Sequence, residues 1–177
     1  MPGLTIHLAA AKEYIRKHPN EDEAEFLDGA IAPDFAADGF LAHRSSPDVT
    51  KNGQLFLSGK VILKDSLNDF DINTSFGRGY FFHLITDHEF CQQLLKYENN
   101  YSEMTYEGIR EKLYHDYSVT NAFFKKKYGV VFPEKIKEYG IEKPGTPIII
   151  NTEDICKMID MLSEIDLKDY YDAQAQS

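Results

Sequence analysis

The segment from Arg78 to Phe90, Arg-Gly-Tyr-Phe-Phe-His-Leu-Ile-Thr-Asp-His-Glu-Phe, constrains this chain more than any other. It is rich in aromatic residues and reads as a buried helix, yet it carries His83 and Asp87 four residues apart, on one helix face. The fold must therefore be helical here and must shelter a polar site. A chain of 177 residues is long enough to enclose a core with such a site inside one domain. Imidazole nitrogen and carboxylate oxygen hold a divalent ion such as zinc well, so the pair reads as half of a metal site. His88 is rotated away from His83 on the same helix and reads as exposed or peripheral.

Two ligands do not complete a site. His7 on a first helix, Asp34 in Gly-Ala-Ile-Ala-Pro-Asp and His43 in Leu-Ala-His-Arg-Ser-Ser are further candidates, brought close only if the fold allows. Asp87 has two oxygens and could bridge a pair of ions. Asp34 could be another ligand or a general base toward water, and the residues alone leave both roles open.

The remaining pattern is mostly helical. A helix over residues 5–17 continues the stripe of Leu4 through Leu8, Ala11 and Ile15, with His7 at its flank. Residues 21–30 form a short acidic helix that Gly29 closes, and Ala32-Pro33 forces an extended backbone that presents Asp34 from a turn. Residues 51–76 are the least helical part, with 54–63 a small hairpin or an extended excursion around Gly59; the whole reads as a long, partly extended loop. Helices follow at about 78–97, 105–127, 133–138 and 152–165, the last capped by Asn151 or Thr152, with Ile148-Ile149-Ile150 extended and 172–177 a frayed tail. The fold class is thus all-α, a single-domain helical bundle.

Charge and cysteine content narrow the function. A formal charge of −10 opposes nonspecific attraction to nucleic acid or anionic membrane, although bound cations would reverse the field locally. Two separated cysteines, Cys91 and Cys156, suggest neither a disulfide framework nor a thiolate zinc site, and both read as small hydrophobes. The start Met-Pro-Gly-Leu-Thr-Ile-His shows no basic region followed by a long apolar run, and no segment reaches bilayer-spanning length, so a cytoplasmic protein is expected.

Between 105 and 127, Asp116 falls on the stripe of Ile109, Leu113, Thr120 and Phe124, where a carboxylate without a partner is costly. Metal ligation, or a hydrogen bond to a tyrosine or a backbone amide, would satisfy it. His115 lies beside it. His18, at a helix end, reads as a C-terminal cap, and Lys125 to Lys127 as a solvated helix C-terminus.

Taken in order, the early histidine after Met-Pro, the Gly-Ala-Ile-Ala-Pro-Asp turn, His43 and His83-Leu-Ile-Thr-Asp87 resemble the zinc-dependent phospholipase C family, whose all-helical fold is shared with fungal single-strand nucleases. The resemblance covers residues 1–90. It implies one zinc on His43, His83 and Asp87, a second on His7 and the other oxygen of Asp87, and Asp34 as general base. The family holds a third zinc on two spaced histidines and a glutamate downstream, where this chain departs: it offers only His88 and His115 after Asp87. Either that ion is absent, or His115 and Asp116 form a reduced version of its site. Secreted members also use a processed N-terminal amine as a ligand, a role that Pro2 would take after loss of Met1.

The resemblance implies metal-assisted hydrolysis of a phosphoester, with a small phosphoester or lipid-like molecule as substrate. Two alternatives compete with it. His83, His115-Asp116 and Asp160 follow the order of HD-type phosphohydrolases, which leaves His7, Asp34 and His43 unexplained. The chain could instead be a catalytically inactive helical module that binds a metal or a partner.

Overall fold

Side-chain caps set where most helices begin in the computed structural model, which describes residues 2–38, 42, 63–97 and 104–177. Asp22 accepts a hydrogen bond from the Glu25 amide and opens α2 (Glu23–Ile31), Thr74 accepts from Gly77 and opens α3 (Ser75–Leu95), and Thr105 accepts from Gly108 and opens α4 (Tyr106–Tyr128). Asn151 does the same for α5 (Thr152–Ser163) and Asp166 for α6 (Leu167–Gln176). Each short polar side chain satisfies an amide that the first helical turn leaves without a partner. Among the described α-helices, α1 (Leu4–Lys17) alone begins without one, at Gly3. Two 3-10 helices, Ala32–Phe35 and Glu134–Gly140, lie between these elements, and no strand occurs among the described residues. The fold is all-α. No helix among the described residues is long and apolar enough to cross a membrane.

α1 is central, packed against α2, α3, α4 and α5. Every residue from Leu4 to Ala11 is buried, not only one stripe, because neighbours surround this half of the helix and Ala9, Ala10 and Ala11 let them come close. Phe26 of α2, Phe81, Phe82 and Phe90 of α3 and Phe124 of α4 are fully buried around it. Truncating one such phenylalanine to alanine typically costs about 3–5 kcal/mol.

Gly29 does not end α2, which continues to Ile31. Its role is close approach: a Cβ there would lie 2.0 Å from the Phe76 carbonyl oxygen, and a Cβ at Gly79 would lie 2.1 Å from that of Phe26. The two glycines let the backbones of α2 and α3 touch. Glu21 fixes the same pair of helices from one end. Its carboxylate accepts from Arg78 Nε at 2.6 Å, Arg78 Nη2 at 2.7 Å and Ser75 Oγ at 2.7 Å. A forked guanidinium–carboxylate pair of this kind fixes orientation as well as distance.

Elsewhere the outcome is mixed. α3 begins at Ser75, three residues before the expected start, because Thr74 supplies the cap. Residues 63–65 form a helical turn with Leu63 buried, while 51–62, which carry most of the expected hairpin, lie outside the described residues. The expected frayed tail is helical to Gln176, held by the Asp166 cap and by edge-to-face contacts of Tyr171 with Phe70 and Phe81 at 6.0 and 5.8 Å. Cys91 is buried and Cys156 half-buried, and both are free thiols.

Candidate metal centre

The close approach of α2 and α3 decides how His83 is held. One turn beyond Gly79 on α3, His83 is fully buried, and its Nδ1 lies 2.7 Å from the Ala30 carbonyl oxygen, next to Gly29. A carbonyl only accepts, so Nδ1 carries the proton and donates. In the neutral ring this leaves the lone pair on Nε2, the tautomer that a backbone carbonyl commonly imposes on a metal-ligating histidine.

His83 Nε2 points to carboxylates. It lies 3.3 Å from Asp87 Oδ2, one turn further along α3, and 3.7 Å from Asp34 Oδ1 in the first 3-10 helix. The other Asp87 oxygen, Oδ1, lies 3.1 Å from His7 Nε2. The two imidazoles stack with ring centroids 3.7 Å apart and planes 8° from parallel. His7, His83 and Asp87 thus form a group whose ligand atoms all lie within 4.8 Å of one another. His7 is buried, and its Nδ1 makes no hydrogen bond among the described residues, an arrangement that native interiors rarely tolerate.

The protonation states follow from this crowding. Burial would lower the pKa of His83, but the charge and hydrogen bond of Asp87, the charge of Asp34 and the Ala30 carbonyl together outweigh it and raise it to about 9. For His7, burial and the neighbouring His83 cation prevail over Asp87 and Asp34, and the pKa falls. Burial opposes the ionised form of Asp87, yet the positive charge of His83 and the close approach of both imidazoles hold its carboxyl well below the usual range. Without a metal, one proton on His83 Nε2 is the cation that the carboxylates gather around.

The donor set fits a divalent ion. Two imidazole nitrogens and a carboxylate suit zinc, whose bonds to nitrogen and oxygen are about 2.0–2.2 Å, so neighbouring ligand atoms of one tetrahedral site sit about 3.3 Å apart. The separations of 3.1 and 3.3 Å around Asp87 match that spacing. Because His7 and His83 approach different oxygens of Asp87, the carboxylate is also placed as a bridge between two ions would be.

Other expected site residues are placed elsewhere. His43 lies outside the described residues. Asp116 is fully buried but not with this group: Oδ1 accepts from the Ile148 amide at 2.6 Å, and Oδ2 from Ile149 at 2.6 Å and Ile150 at 2.7 Å. This is the backbone-amide alternative, and it corrects the expected extended run: the chain bends at 148–149, which turns three successive amides toward one carboxylate. His115 is exposed and its Nε2 donates to the Thr146 carbonyl at 3.1 Å. The reduced third site expected of His115 and Asp116 is therefore not assembled, and neither Asp116 nor the exposed Asp160 groups with His83 as the HD-type order requires. His18 caps α1 as expected, with Nε2 donating to the Ser163 carbonyl at 3.0 Å. His88 lies 3.9 Å from Glu89.

Asp34 also forms part of the wall of a cavity of about 650 Å³, which His7, His83 and Asp87 do not line. Its other walls are residues 2–4, Phe35, one side of α4 including Arg110, Tyr114 and Tyr117, and the 138–143 segment. Of these wall residues Pro2 was singled out from the sequence, as an amine ligand implied by the resemblance, but the aromatic ones were not, because exposed tyrosines look the same there as tyrosines of the core. No known protein family, curated protein or solved structure matched the chain.

Proposed function

We propose that this protein is a metal-dependent phosphoester hydrolase that holds zinc or a similar divalent ion on His83, His7 and Asp87, with Asp34 as general base. The observation that carries the reading is the shared carboxylate: two buried imidazoles address opposite oxygens of Asp87, and Ala30 fixes the tautomer of one of them. The resemblance of residues 1–90 to zinc-dependent phospholipase C likewise makes His83, His7 and Asp87 metal ligands, divided there between two ions, and Asp34 the general base. It also gives His43 a place as a ligand.

A bound divalent ion would supply Lewis-acid activation of water and neutralise charge on the phosphoryl oxygens. The protein's own residues do the rest. Asp87 and the imidazoles would fix the position of positive charge, and Asp34 is the residue that links that position to the cavity. Asp34, with its side chain one-quarter exposed, reaches from the cavity wall to within 3.7 Å of His83 Nε2, so it stands between solvent and the buried ligands. In the reaction a water oxygen would form a bond to phosphorus as its proton passes to the Asp34 carboxylate, and the ester P–O bond would break with that proton returned from Asp34 to the leaving oxygen, which departs as the alcohol. The net charge of −10 makes a small diffusible phosphoester a better substrate than one in an anionic membrane, which would repel the protein at long range.

The test is turnover of bis(p-nitrophenyl) phosphate by purified protein with added zinc or manganese. Activity that requires the metal and falls by about 100-fold or more in Asp34→Asn supports the reading. Absence of metal-dependent turnover, or an unaffected Asp34→Asn, rejects it.

A further inference from the structure

The cavity has a chemical character of its own. Phe35 follows Asp34 directly in the 3-10 helix, so its ring stands beside the proposed base. It meets Tyr139 edge to face, with centroids 5.4 Å apart and planes at 88°. Both rings are open to solvent, Phe35 at 44% and Tyr139 at 52% exposed. Two large aromatic side chains left this exposed are not filling the core; their corner presents ring faces and edges to whatever enters the cavity. The charged residues of the cavity wall are the cations Arg110, which lies over the Tyr114 ring at 5.4 Å, and Lys143, and the acids Asp34 and Glu138.

The wall that carries Tyr139 is held in place. Asn121 Nδ2 donates to the Ile141 carbonyl at 3.2 Å, Lys125 Nζ to the Gly140 carbonyl at 2.7 Å, and the Lys143 amide to the Ser118 carbonyl at 2.8 Å. Side chains and backbone of α4 thus clamp the backbone of 140–143, so the aromatic corner does not have to be ordered when a ligand binds. A rigid corner of perpendicular rings suits a flat group. A flexible acyl chain would gain no ring-to-ring contact there and would lose rotamer freedom.

We infer that the cavity selects phosphoesters whose alcohol carries a planar ring, with Phe35 and Tyr139 as specificity residues that hold the ring and Arg110 and Lys143 drawing in the anion. The inference rests on the proposed phosphoesterase reading for what the phosphoryl group does, but its ring selectivity is measured separately.

Benzylphosphonate and hexylphosphonate provide the probes, because neither is hydrolysed and both place an apolar group next to a phosphonate. Their affinities for the metal-loaded protein are compared by calorimetry, with metal content measured in each sample. Benzylphosphonate is expected to bind about tenfold more tightly than hexylphosphonate, and Phe35→Leu and Tyr139→Leu are each expected to remove about five- to tenfold of that preference while metal content and hexylphosphonate affinity stay the same. Phe35→Tyr, which keeps a ring, should retain the preference. Equal affinities, a preference for the hexyl compound, no binding of either, or leucine variants that keep the full preference would each overturn the inference. Loss of metal with the preference intact would instead count against the hydrolase reading alone.

Discussion

At the scale of single residues, Asp87 is the hub, since it faces both buried imidazoles and its charge is what keeps a proton on His83. This gives metal-stripped protein a pH signature. The folded-state pKa of His83, about 9, is above the ordinary value of 6.5, so its contribution to stability is complete below pH 6.5 and is lost as pH rises toward 9. His7 shifts the other way and acts below 6.5, and Asp87 acts only in the acid range, so the window above 6.5 isolates His83. The gap in melting temperature between metal-free wild type and metal-free His83→Gln should narrow from pH 6.5 to 9; a gap that stays constant contradicts the assignment. His83 and Asp87 were legible in the sequence because a helix puts residues four apart on one face. His7 and Asp34 were legible as candidates, but their meeting with His83 was implied only by the ordered resemblance, since nothing local says that α1 and the 3-10 helix meet α3. The need of Asp116 for a partner was legible from its place on an apolar stripe, whereas its partners, 32 to 34 residues downstream, were not.

At the scale of elements, the crossing of α2 and α3 positions the site. Alanine is intrinsically the better helix former by about 1 kcal/mol, so Gly79→Ala would stabilise an isolated helix. Here the added methyl would stand 2.1 Å from the Phe26 carbonyl oxygen and force the helices apart. Gly79→Ala should therefore destabilise the protein by about 1–3 kcal/mol in urea unfolding and weaken metal retention through the His83–Ala30 hydrogen bond. A variant as stable as wild type would show that the backbones do not touch. The sequence marked Gly29 as a helix end because glycine serves both purposes, and only the neighbouring helix distinguishes them. Asp116 gives a contrasting case on α4. Asp116→Ala leaves three amides without their acceptor and should cost about 3 kcal/mol or more, yet leave the metal content unchanged. Loss of metal in that variant, with the fold intact, would return Asp116 to the ligand set.

At the scale of the whole molecule, the helices bring together residues separated by up to 80 positions in the sequence, and the bundle folds around polar groups that repel or attract according to what lies between them. An ion that binds only the folded state stabilises it by mass action, about 2.7 kcal/mol at a free concentration one hundred times its Kd. Zinc should therefore raise the melting temperature of wild type and leave that of Asp87→Ala unmoved. The all-α architecture was legible from helical periodicity and caps. The cavity was not, because its walls come from the N-terminal residues, the first 3-10 helix, α4 and the 138–143 segment, and no local pattern links them. The decisive measurement is the metal-to-protein ratio after zinc loading and exhaustive dialysis, taken on wild type, His7→Ala, His83→Ala, Asp87→Ala and Asp116→Asn. At least one ion per chain should remain in wild type and in Asp116→Asn and be lost from the other three. Wild type that retains no ion, or His83→Ala and Asp87→Ala that retain as much as wild type, would show that these side chains are a buried ion-pair cluster and not a metal centre.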